Sequence, residues 1–139
     1  MKKVLFFLTF VLTGGFCFGQ TLQKGNLLGL HVSAINLKEG VTMEKYVSFY
    51  MSKVIPAYDT AFPGMKSYLI KSLRGKDSTS IGAIYMFNSE ADRNRYFNND
   101  GTPTELFNTI NAKLDGIQKE LDKYVTAPET DTYNDWLVQ

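Results

Sequence analysis

Apolar and polar positions alternate along residues 27–38. Leu28, Leu30, Val32 and Ala34 hold one parity; Gly29, His31, Ser33 and Ile35 hold the other. Successive side chains of a strand project to opposite faces, so this stretch predicts a strand with one wholly apolar face. That face is expected to pack on helices, which puts His31 on the other side, among small residues. After Gly40 the period changes. Met43, Tyr46, Val47, Tyr50 and Val54 recur at three- and four-residue steps, the mark of an amphipathic helix, with Thr42 as its N-cap. Pro56 and the "FPG" at 62–64 are expected to end it. Strands follow over 65–73 and 80–87, joined as a hairpin by a turn containing Gly75 and Asp77.

The second half repeats the alternation of element types. Ser89, with Asp92 three residues on, reads as a capping box opening a short helix through Phe97, and "NNDG" stops it. In "TPTE", Thr102 is expected to cap, Pro103 to sit in the first turn and Glu105 to close the box. Phe107, Ile110, Leu114, Ile117, Leu121 and Tyr124 then mark one long amphipathic helix. "TYNDWLVQ" supplies a final strand. The order β-α-β-β-α-β is that of an α+β, ferredoxin-like fold: an antiparallel sheet with helices on one face. The uncovered face, expected to carry Ile35, Leu37, Ile84 and Met86, is apolar. A second copy of the same sheet would cover it, so a homodimer is expected.

The first 19 residues do not fit this scheme. "MKK", an apolar run and small Gly19 make a signal peptide, leaving residues 20–139 as a single domain exported to the periplasm or beyond. The apolar run is too short and too glycine-interrupted to be a membrane anchor. Phe16 before Cys17 argues against lipid attachment. Cleavage removes the only cysteine, so the mature chain must be held by its core, without disulfides, and offers no thiolate for catalysis or zinc. It also removes Lys2 and Lys3, leaving 13 basic against 14 acidic residues. That balance points away from nucleic acid and anionic membrane surfaces.

Candidate chemistry is sparse. His31 is the only histidine, which is too little for a strong metal site; neither metal nor cofactor is expected. It reads either as a general base or hydrogen-bonding group facing a ligand, with Gly29 and Ser33 leaving room beside it, or as a structural histidine at the dimer interface. Tyr68 and Trp136 lie on strands bordering the expected cavity, and Trp136 equally suits an interface anchor. Glu90, Asp92, Arg93 and Arg95 read as a solvated helix face. Asp131 and Asp135 read as scattered strand-end acids. No phosphate loop, nucleophile elbow or HExxH motif is present.

Two stretches carry a family likeness. "HVSAINLKEGVT" is similar to the first strand and turn of the dimeric α/β-barrel superfamily, and "YMFNSEADRNRYF" to its third strand ending before a helix. That group includes stress-responsive A/B-barrel proteins, antibiotic-biosynthesis monooxygenase-like proteins and small polyketide cyclases. The resemblance implies paired sheets and a space for small, partly apolar or aromatic ligands. It also aligns His31 with a first-strand histidine of some cyclases, whose second histidine has no counterpart here. Haem-degrading relatives place a histidine on the third helix, where this chain offers Asn108, Asn111 and Lys113. The function expected is binding of a small partly apolar molecule, or assembly. The alternative is a cofactor-independent monooxygenase or cyclase, with His31 as base and Ser33, Tyr68 and Trp136 around the substrate.

Overall fold

The computed structural model describes residues 21–74, 80–126 and 131–139. The expected signal peptide and the turn at Gly75 and Asp77 lie outside them. The elements are β1 (Leu27–Ser33), β2 (Asn36–Leu37), α1 (Met43–Phe49), a π-helical turn (Tyr50–Val54), α2 (Ile55–Ala61), β3 (Met65–Lys71), β4 (Ile81–Phe87), α3 (Glu90–Asn94), α4 (Glu105–Ala112), α5 (Asp115–Leu121), β5 (Val125–Thr126) and β6 (Asp131–Leu137). Strands β3, β4, β1 and β6 form one sheet in that order, every neighbouring pair antiparallel. This is the ferredoxin-like α+β arrangement. β2 and β5 pair separately.

Local chemistry accounts for the helix starts. Thr42 accepts from the backbone N–H of Lys45, and Ser89 from that of Asp92, as the capping signals require. The third start is shifted. Thr104, not Thr102, caps α4 by accepting from Phe107 N–H. Thr102 is instead tied to Asp100 through both its N–H and its hydroxyl, and Pro103 bridges to Phe97.

One expected boundary holds and one moves. The helix ends at Ala61, inside the stretch from Pro56 to 62–64 expected to hold its end, having run through Pro56. The π-helical turn just before it widens the helix, with Ile55 N–H reaching back to Tyr50 C=O, and this relieves the clash a proline ring makes in a tight α-turn. The long second helix is broken between α4 and α5, where Leu114 leaves helical geometry at ψ 4°.

The face assignment of β1 is the reverse of the expectation. Register pairs Leu28 with both Met86 and Trp136, and Leu30 with Ile84, so the Leu28, Leu30, Val32 face is the uncovered one. The helices lie over Gly29, His31 and Ser33. The core sits at one end of that layer, where Leu27, Met65 and Phe87 from the sheet meet Phe62 and Tyr96. Ile84 and Met86 belong to the open face as expected. Ile35 and Leu37 do not, because β1 ends at Ser33 and Leu37 pairs with Val125 in the small sheet.

Candidate functional site

Between sheet and helices lies a cavity of about 320 Å³. His31, Met65, Tyr85 and Tyr133 line it from the sheet; Tyr58, Phe62, Phe97, Phe107 and Gly101 close it from above. The same alternation that lines up Gly29, His31 and Ser33 brings Tyr85 and Tyr133 to this side of the neighbouring strands. His31 packs against Tyr133, ring centroids 5.4 Å apart, and edge-on to Tyr85 at 6.4 Å. A smaller chamber of about 80 Å³, lined by Ser33, Tyr46 and Tyr50 among others, shares His31 and Tyr85 with the main cavity.

Gly29 makes the cavity floor possible. A Cβ there would stand 2.5 Å from the Tyr133 hydroxyl, so Tyr133 can lie across the strand only over a glycine. The Tyr133 hydroxyl donates to Asp135 Oδ1 at 2.7 Å, and Asp135 Oδ2 is held by Arg93 Nη2 at 2.8 Å. Arg93 is buried, contrary to the solvated helix face expected from its neighbours. Its Nη1 donates to the backbone carbonyls of Phe97 and Asn98, its guanidinium lies 5.5 Å from the Phe97 ring centre, and its Nε is buried with no hydrogen-bond partner among the described residues. A buried guanidinium needs such partners, because desolvation of an unpaired charge is costly. Asp135 is therefore an ion-pair partner on β6 rather than a scattered acid.

Burial dominates the electrostatics of the aromatic layer. It pushes the Tyr85 phenol well above its ordinary value, with nearby Tyr50 adding to the effect. Tyr46, Tyr50 and Tyr58 are raised for the same first reason. Tyr133 is raised by burial and then by Asp135, against the pull of Arg93. These hydroxyls are neutral donors and acceptors at ordinary pH.

The four residues singled out from sequence divide between the two faces. His31 lines both chambers and Ser33 the smaller one. Tyr68 pairs with Ile84 and Trp136 with Leu28, which puts both on the open face, 42% and 61% exposed. Tyr68 and Trp136 therefore do not share a pocket with His31. Sequence reading missed Tyr58, Tyr85, Tyr133, Phe97 and Phe107 as cavity residues. Once His31 is placed under the helices, the parity of Tyr85 and Tyr133 within their strands identifies two of them. Among the described residues no group of three or more His, Cys, Asp or Glu side chains could hold a metal, and no helix is long and apolar enough to cross a membrane.

No protein-family model and no curated protein sequence matches this chain. Solved structures do. A NIPSNAP-family protein of unknown function from Agrobacterium tumefaciens superposes with a TM-score of 0.52 at 13% identity, over 84% of this chain and 93% of its own. A dimeric ferredoxin-like protein of unknown function from Bacteroides fragilis gives 0.43 at 13% identity, over 82% and 97%. A cofactor-independent oxygenase from Streptomyces nogalater gives 0.45 at 10% identity, over 83% and 94%. At these identities what is shared with the first is the fold.

Proposed function

We propose that this protein binds a small, partly apolar, uncharged molecule in the cavity over His31, and that it does so as an exported homodimer. The composition of the cavity carries the reading. Among the described residues its walls are aromatic rings and a methionine, its polar side chains are one imidazole and three phenols, and no Lys, Arg, Asp or Glu lines it. Binding sites have this make-up: mostly apolar, with a few polar groups that fix orientation. The volume is about twice that of the roughly 150 Å³ apolar cavity that admits benzene, so one or two fused rings fit.

The homodimer rests on the open sheet face. Leu28, Leu30, Ile84, Tyr68 and Trp136 share it by register, and a sheet face of that composition is unfavourable in water. Export rests on the pattern of the first 19 residues. One measurement addresses both ligand and assembly: the intact mass of the mature protein, purified from its native host under non-denaturing conditions. The expected species is a dimer carrying extra small-molecule mass. A monomer that also takes up no aromatic probe would sink the proposal.

One observation favours a second reading, a cofactor-independent oxygenase or cyclase: the only histidine opens onto this cavity. There it would accept a proton from a bound hydroxyl, and in the oxygenase case the resulting anion would give its electrons to dioxygen as co-substrate. On that reading His31→Ala abolishes turnover of a phenolic substrate and leaves the dimer and its melting temperature nearly unchanged. Unimpaired turnover in the variant would remove His31 from the chemistry.

A further inference from the structure

Gly29 stands inside β1, where a glycine weakens the strand and marks the close approach of another group. Its φ lies outside the left-handed region, so backbone conformation does not call for glycine here. The group that does is Tyr133. It pairs in register with His31, and its side chain crosses diagonally to cover Gly29, whose own partner on β6 is Asp135. A Cβ at position 29 would stand 2.5 Å from the Tyr133 hydroxyl oxygen and 3.0 Å from both Cε2 and Cζ. The ring therefore rests directly on the sheet, as low as it can lie. It is also held there. Asp135 Oδ1 accepts its hydroxyl proton at 2.7 Å, and Arg93 binds the other carboxylate oxygen at 2.8 Å and is a further hydrogen-bond partner of the hydroxyl. Phe97, on the helix side of the same cavity, has its ring centre 6.4 Å from that of Tyr133. A side chain at position 29 would lift the Tyr133 ring off the sheet, toward the helices, and take that height out of the cavity.

We infer that Gly29 sets the largest ligand the cavity accepts, by letting Tyr133 lie flat as its floor. Arg93 and Asp135 are positioning residues that hold the floor down. The inference rests on the cavity being the binding site proposed above, and adds to that reading the residue that limits ligand size. A cavity of roughly 150 Å³ suffices for benzene. Of the 320 Å³ present here benzene leaves room to spare, whereas a second fused ring uses it. A raised floor therefore acts on the larger ligand first.

Benzene and naphthalene make the test, by calorimetric titration of the intact mature protein. Gly29→Ala is expected to weaken naphthalene by about tenfold or more, the effect of about one methylene too many in an apolar pocket, and to leave benzene nearly unchanged. In a Tyr133→Ala background the same Gly29→Ala change is expected to leave the naphthalene-to-benzene ratio where it was, because no ring remains to be lifted. Tyr133→Ala alone reads the limit from the other side: followed by probe fluorescence, it is expected to admit phenanthrene, with three fused rings, which the parent refuses. An unchanged ratio in Gly29→Ala, the same fall with and without Tyr133, or phenanthrene treated alike by parent and Tyr133→Ala overturns the inference while leaving the cavity a binding site. Failure of both benzene and naphthalene to bind the parent removes the binding reading and the inference together.

Discussion

Raising the pH through 10 is expected to unfold this protein steeply. Tyr46, Tyr50, Tyr58, Tyr85 and Tyr133 all have phenols raised above the ordinary value of 10, each primarily by burial. In the unfolded chain these groups ionise near pH 10; in the folded chain they stay protonated to higher pH. Between those limits the folded state binds more protons than the unfolded one, so stability falls as pH rises. Below pH 10 both states are neutral and the contribution is fully present. Each phenol that stays protonated in the fold contributes at most about 1.4 kcal/mol of lost stability per pH unit, less for the half-buried Tyr133, and the neighbouring phenols do not add independently. Urea midpoints followed by circular dichroism from pH 8 to 12 check this. They should be flat up to about pH 10 and then collapse, with phenolate absorbance appearing together with unfolding. A midpoint that stays level to pH 12 would contradict the buried aromatic layer itself.

Phe87→Ala is expected to cost about 3–5 kcal/mol, which for a domain of this size lowers the melting temperature by roughly 10–20 °C. Phe87 is fully buried at the end of β4, paired in register with both Leu27 and Met65. Its ring meets Tyr96 and Phe97 with centroids 6.4 and 6.5 Å away, and those two residues flank the chain segment that leads to α4. Removing it opens a void where five buried residues meet, and Met65, its register partner, is too small a reserve to fill the space of a whole ring. Phe97 also lines the cavity, so the variant is expected to lose affinity for an aromatic probe beyond its loss of stability. A melting temperature within a few degrees of the parent would show that this cluster is not the core.

Much of the architecture is legible in the residue pattern. Period two in β1 and β4, period 3.6 between Met43 and Val54, and the caps at Thr42 and Ser89 are local properties. Each element forms for reasons found within a few residues of it. Their order implies the ferredoxin-like topology, and the strand register follows from joining β3 and β4 as a hairpin. Where local signals competed, the reading slipped by small steps. Thr102 and Thr104 both suit a cap, and the contacts of Asp100 decide between them. Pro56 is a stop signal that a preceding π-turn neutralises.

What the sequence by itself determined is which residues share a face; which of the two faces the helices cover was decided only by the tertiary structure. Alternation sets parity without a sign, and in β1 the more apolar parity is the outer one. Gly29 and Ser33 are small because the Tyr133 ring and the aromatic residues of the helices need depth above them. That geometry turned His31 from a residue of the open face into one of the cavity. It carried Tyr68 and Trp136 to the opposite side. It also buried Arg93, whose partner Asp135 is brought to it only when β6 joins the edge of β1. Faces and caps follow from spacing along the chain, whereas cavities and buried ion pairs depend on volumes and charges contributed by segments distant in sequence.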